Sequence, residues 1–205
     1  MPHFLSQQLR DEIMRHESNA ALTALGYVPL FSASPTAKIV IIGQAPGIKA
    51  QMSGKVWDDA SGHRLMQWLG VSEDLFRNPA MIAHIPMDFY YPGKGRSGDL
   101  PPRKEFAALW HARILHRMPD VKMTILIGRY AQQYYLRNAK SRNLTDTVRN
   151  YTEYLPDYFP IVHPSPLNFR WLQRNRWFED DVVSELQTHI KRIVALPKEN
   201  VTLPD

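Results

Sequence analysis

Two five-residue loops carry the side chains best suited to chemistry, Gly43-Gln44-Ala45-Pro46-Gly47 and His163-Pro164-Ser165-Pro166-Leu167. In the second, two prolines stiffen the chain just after a histidine, because proline fixes its own φ and restricts the residue before it. That stiffness suits an imidazole held at a set distance from a ligand, and equally a histidine that only caps a turn. Ser165 lacks the Gly-x-Ser-x-Gly elbow of a nucleophilic serine and is expected to hydrogen-bond within the turn. The first loop breaks the run Lys38-Ile39-Val40-Ile41-Ile42 abruptly. It exposes backbone N–H groups at a strand's carboxyl end, where open α/β sheets place their ligands. No Gly-Lys-Ser/Thr follows, and the glycine spacing is not a dinucleotide fingerprint, so both nucleotide loops lose ground.

Three further positions have chemistry within reach. Trp57 stands among polar residues, where an indole either packs down into the core or stacks on a planar ligand. Asp58 and Asp59 could activate water or cap the helix that follows. His84 sits in the apolar stretch Met81-Ile82-Ala83-His84-Ile85, as a satisfied core histidine or, near a strand end, as a ligand contact.

The elements that must position these residues are legible from periodicity. Apolar runs at 38–42, 81–85, 122–127 and 159–162 read as strands buried on both faces. Leu5, Leu9 and Ile13 mark an amphipathic helix over 4–16, and a second runs from about Gly62 to Leu69, stopped by Gly70. The stretch 48–61 is expected to be irregular. Pro101-Pro102 should open a helix whose face is Phe106, Trp110, Ile114 and Met118. Gly128 opens a helix with Tyr130, Tyr134 and Tyr135. The stretch 137–154 holds at most a short helix at 144–149, and Trp171 to Ala195 reads as a final helix. The Gly- and Pro-rich connection 86–101 is long enough to be functional or mobile. Strands alternating with helices predict an α/β fold with helices on both faces of a parallel sheet, in one domain spanning 1–205.

Composition narrows the class. The 205 residues include no cysteine, which excludes disulfides, thiolate nucleophiles and cysteine metal sites. A net charge of +5 permits an anionic partner such as nucleic acid without establishing one. Arg170, Arg174 and Arg176 follow the second loop closely. Lys49, Lys55, Lys94, Arg96, Arg103 and Lys104 follow other strand ends. The apolar runs are too short to span a membrane, and the first residues lack a signal peptide's blocks, so a cytoplasmic protein is expected.

The paired loops resemble the two motifs of the uracil-DNA glycosylase superfamily. Gly43-Gln-Ala-Pro-Gly47 is similar to its first motif in the Gly-Glu-Ala-Pro-Gly form of the iron–sulfur branch, and His163-Pro-Ser-Pro-Leu167 to its second. Gly54-Lys-Val-Trp57-Asp-Asp-Ala-Ser-Gly62 matches the spacing of that branch's Gly-x-Pro-Phe-x-Gly-x-Ala-Gly. The resemblance covers about 38 to 170. It implies a three-layer α/β/α sandwich around a four-stranded parallel sheet, and cleavage of an N-glycosidic bond after a base is flipped from DNA, without metal or cofactor. It places His163 as the donor to the departing base, with Gln44 beside it as the other catalytic position. Gly43, Ala45, Pro46, Gly47, Trp57, His84 and Ser165 would form the base pocket. Leu167 would be an apolar wedge in the stack, and Arg170, Arg174 and Arg176 contacts to the DNA backbone. DNA, single- or double-stranded, is the implied partner of a monomer.

The departures are specific. Ala45 stands where the best-known branch has a water-positioning aspartate, and Gln44 where the iron–sulfur branch has glutamate. The four cluster cysteines are absent, and His84 is the nearest counterpart of an asparagine that reads the uracil edge. A histidine could donate to the uracil O4 but cannot copy an amide's donor–acceptor pair. Three readings follow: a glycosylase for uracil or another deaminated base, an inactive nucleic-acid-binding module of the same fold, or a nucleoside or nucleotide hydrolase.

Overall fold

The computed structural model describes residues 2–96, 98–136 and 142–196. The side chain of Leu5 and residues 137–141 of the polar stretch lie outside the described residues. The strands are β1 (Ile39–Ile42), β2 (Ile82–His84), β3 (Met123–Ile127) and β4 (Tyr158–Ile161). They form one sheet in the order β2-β1-β3-β4 with every pair parallel. The helices, in chain order, are α1 (Pro2–Arg15), α2 (Ala20–Ala24), α3 (Ile48–Ser53), α4 (Ala60–Leu69) and α5 (Glu73–Phe76). After β2 come α6 (Phe106–Leu115), α7 (Gly128–Tyr135), α8 (Leu144–Arg149), α9 (Phe169–Arg174) and α10 (Val183–Ala195).

The period-2 alternation of the strands divides the core in two. Val40, Ile42, Ala83, Ile85 and Leu126 face one layer with Leu9 and Ile13 of α1 and Phe106, Trp110 and Ile114 of α6. Ile39, Ile41, Ile82, Ile125 and Ile161 face the other, against Leu65 and Leu69 of α4 and Leu186 and Ile190 of α10. Both faces are covered, so the strands read as continuous apolar runs. This is an α/β/α sandwich around a four-stranded parallel sheet. The β2 edge is covered by residues 30–32, through Ser32 N–H to the His84 carbonyl and the reverse bond, each 2.9 Å.

Three expectations change. The stretch 48–61 is not wholly irregular: α3 forms because Ala50 and Gln51 are buried and Gln51 ties it to two loops, donating to the Val28 carbonyl (2.9 Å) and accepting from Tyr91 N–H (2.8 Å). Pro101-Pro102 does not open α6, which starts at Phe106. Asp88 accepts from both the backbone N–H and the guanidinium of Arg103, which holds the intervening chain in the loop. The final helix is interrupted at Asn175, whose Nδ2 donates to the Trp171 carbonyl (2.8 Å) while Oδ1 accepts from Trp177 Nε1 (3.2 Å). The break lets Trp171 meet Trp177 and Phe178 edge-on, at centroid distances of 5.8 and 5.6 Å.

Candidate active site

Both motif loops leave the same edge of the sheet, from β1 and β4, the two strands that flank β3. Backbone pairing continues past β1 and β2: Ile85 N–H donates to the Ile41 carbonyl, Met87 N–H to Gly43 (2.8 Å) and Asp88 N–H to Gln44 (3.1 Å). The Gly43–Gly47 loop is thereby zipped to the start of the 86–101 connection. Gln44 Nε2 donates to the Leu100 carbonyl (2.9 Å) and fixes the far end of that connection as well.

A cavity of about 360 Å³ opens between these loops. Gly43, Ala45, Pro46, Gly47, Trp57, His84 and Ser165 of the expected base pocket line it, together with the expected catalytic positions Gln44 and His163 and the expected wedge Leu167. A second cavity of about 520 Å³ adjoins it, sharing Gln44 and His163 and bordered by Gly128, Arg129 and Asn168. Arg170, Arg174 and Arg176 do not line either; they are exposed on and just beyond α9.

Trp57 packs both ways at once. It touches the core layer under α4 and α10 and lines the cavity, with its ring centroid 5.7 Å from that of His163. Its φ of 57° is a left-handed conformation for a bulky residue, which costs on the order of 1–3 kcal/mol. Two glycines make room for it. A Cβ on Gly43 would lie 2.9 Å from Trp57 Cζ2, and one on Gly62 would lie 1.8 Å from the Trp57 carbonyl oxygen. Asp59 caps α4 by accepting from Gly62 N–H (2.9 Å) and leaves its second oxygen towards Gly47.

His163 has a defined polarity. Its Nδ1 accepts from the Ser165 backbone N–H (3.1 Å), so a neutral ring carries its proton on Nε2. Burial pushes the imidazole below its ordinary pKa, and the carboxylates of Asp59 and Asp99 oppose that shift. The ring is therefore a neutral N–H donor at physiological pH. Ser165 plays the turn role expected of it, its hydroxyl accepting from Leu167 N–H (3.2 Å). Leu167 is 83% exposed at the rim.

His84 differs from expectation in its sense. Nε2 donates to the Phe76 carbonyl (2.8 Å) and Nδ1, buried, has no hydrogen-bond partner. Burial drives its pKa down to about 4, so the ring is neutral and its free nitrogen can only accept. Donation to a base carbonyl is not open to it in this arrangement, and the free Nδ1 is itself closed off from solvent. Arg103, read from sequence as a cation for an anionic ligand, is instead bound to the fully buried Asp88 through Nε (2.7 Å) and Nη2 (2.8 Å).

Sequence reasoning missed Asp99, at the mouth of the cavity, and the pair of buried His111 and half-buried Tyr135, whose Nδ1–Oη distance is 2.6 Å. His111 Nε2 donates to the Pro86 carbonyl (2.9 Å), so the tyrosine hydroxyl donates to Nδ1, and the pair anchors the start of the 86–101 connection. The length of that connection was the one signal that pointed to Asp99, whereas His111 on α6 and Tyr135 on α7 had none. No cluster of metal-ligating side chains occurs among the described residues.

Comparison with known proteins bears on this arrangement. The family model of the uracil DNA glycosylase superfamily matches residues 31–187. A solution NMR structure from Methanosarcina acetivorans, provisionally named a uracil DNA glycosylase, aligns over 78% of this chain and 98% of its own, at 13% identity and a TM-score of 0.45.

Proposed function

This chain belongs to the uracil DNA glycosylase superfamily, and from that premise we propose that it hydrolyses the N-glycosidic bond of uracil or another deaminated base in DNA. One observation carries the reading most: the Ser165 amide holds His163 as a neutral Nε2–H donor on the wall of a cavity that Trp57 also lines. A base flipped into that cavity stacks on the indole, and the departing base builds negative charge on a carbonyl oxygen. A preorganised donor stabilises that charge in the transition state and much less in the ground state. Gln44 keeps the first loop and the 86–101 connection together around the site.

DNA reaches the cavity from the rim that carries Leu167. The exposed leucine fills the gap left by the flipped base, and Arg170, Arg174 and Arg176 meet flanking phosphates. The deaminated bases this reading admits are uracil, hypoxanthine and xanthine. A second reading, a binding module without chemistry, draws support from Ala45, whose methyl group cannot position water. Incubation with single- and double-stranded oligonucleotides carrying each of these bases, followed by cleavage of abasic sites, separates the two. Strand scission at the modified base supports the enzyme; tight binding with no base released leaves the module.

A further inference from the structure

The mouth of the cavity carries a carboxylate that belongs to neither motif. The tip of the 86–101 connection doubles back on itself, with Leu100 N–H donating to the Gly93 carbonyl (2.9 Å) and Gly95 N–H to Gly98 (2.8 Å). Gly93 and Gly98 take φ of 103° and 93°, conformations that other residues adopt only with strain. This tip is held over the site from its end, where Gln44 grips the Leu100 carbonyl one residue beyond Asp99. Asp99 Oδ2 consequently lies 4.0 Å from the point where a Gly47 side chain would begin, and Asp59 Oδ2 lies 3.7 Å from the same point. Lys94 Nζ stands 3.8 Å from the other oxygen of Asp99.

Depth in the cavity decides what Asp99 could touch. Of the residues that line it, His84 at the end of β2 is 1% exposed, whereas the Asp99 side chain is 37% exposed. A nucleotide that enters base first puts the base edge inward and its C1′ at the mouth. A carboxylate at the mouth is then beside the sugar carbon rather than the base edge.

Resting on the glycosylase reading, we propose that Asp99 is the catalytic carboxylate that holds and deprotonates the attacking water, the task for which Ala45 has no functional group. The water oxygen bonds to C1′ as the C1′–N bond breaks, and the bonding pair leaves with the base. The base oxygen takes the hydrogen bond from His163 Nε2, while the water proton passes to the Asp99 carboxylate and from there to solvent or the departed base. The negative charge of Asp99 also faces the cationic sugar as it forms, with Asp59 adding to the same field. Asp59 has one oxygen committed to the α4 cap, and Asp99 is engaged by Lys94 and by a side-chain hydrogen bond with Tyr91, so the choice of Asp99 rests on its more open place at the mouth.

The test compares wild type, Asp99→Asn, Asp99→Glu and Asp59→Asn in single-turnover excision from a uracil-containing oligonucleotide. Affinity is measured in parallel on the uncleavable 2′-fluoro-deoxyuridine analogue. Asp99→Asn should lose about a hundredfold or more in rate at unchanged affinity, as removal of a general base does, with partial recovery in Asp99→Glu. Asp59→Asn should lose less, since asparagine caps a helix as well as aspartate does. Full activity in Asp99→Asn, or a larger loss in a normally folded Asp59→Asn, overturns the role of Asp99 and leaves the glycosylase reading standing. A wild type that releases no base from uracil, hypoxanthine or xanthine substrates removes both.

Discussion

Gly43 and Trp57 are in direct contact: a Cβ on the glycine would sit 2.9 Å from Cζ2 of the indole and 3.2 Å from Cη2. The first residue of the first motif is thus the surface on which the aromatic wall of the cavity rests. Gly43→Ala should push the indole towards the cavity. Overpacking of this kind costs about 1–3 kcal/mol, read as a lower urea midpoint at constant m-value. Affinity for uracil-containing DNA should fall with it, since stacking contributes about 1–3 kcal/mol per base.

His163→Ala should reduce base excision on the order of a hundredfold or more while barely changing DNA affinity. The imidazole acts on charge that exists only once the base is leaving. Because burial holds its pKa below the ordinary value, the excision rate of wild type should show no histidine inflection near pH 6.5. An inflection there that disappears in His163→Ala would mean that the charged ring takes part.

Leu167→Ala should leave folding stability within about 0.5 kcal/mol, because the side chain is 83% exposed. Its effect should appear in excision from duplex DNA and be smaller on single strands, which have no stack to fill. Replacing Arg170, Arg174 or Arg176 with alanine should lower the salt slope of DNA binding by about one unit wherever the arginine neutralises a phosphate. Titrating affinity against salt for each variant measures this directly.

Acid should destabilise the fold through two buried histidines. Burial drives both His84 and His111 down to about 4, so the folded state keeps them neutral while the unfolded chain protonates them near 6.5. Between those values the unfolded state binds more protons, so stability is full above pH 6.5 and is lost as pH falls towards 4. Each contributes on the order of 3 kcal/mol to that loss. Urea titrations across this range should show it, and His111→Gln should remove one share of the slope despite lower stability at neutral pH.

Arg103→Ala should cost about 3 kcal/mol, because it leaves the fully buried Asp88 carboxylate unpaired. The substitution should also loosen the 86–101 connection, detected as faster amide exchange in residues 88–103.

The sheet was determined by sequence alone. Each apolar run, from Ile39 to Ile161, is buried on both faces, and only a parallel sheet under two helical layers satisfies such runs. The loops at Gly43 and His163 were legible for the same reason, since glycine and proline stop a strand by local sterics that need no partner. The helix boundaries were less legible: Pro101 obeyed a local preference, and the distant Asp88 overrode it through Arg103. Only the tertiary structure decided the polarity of His163 and His84, because a tautomer follows from the hydrogen bond made by the other ring nitrogen. It alone decided that Asp59 and Asp99, 40 residues apart in sequence, approach the same point above Gly47. That meeting depends on Gln44 reaching the Leu100 carbonyl, a long-range contact that no periodicity encodes.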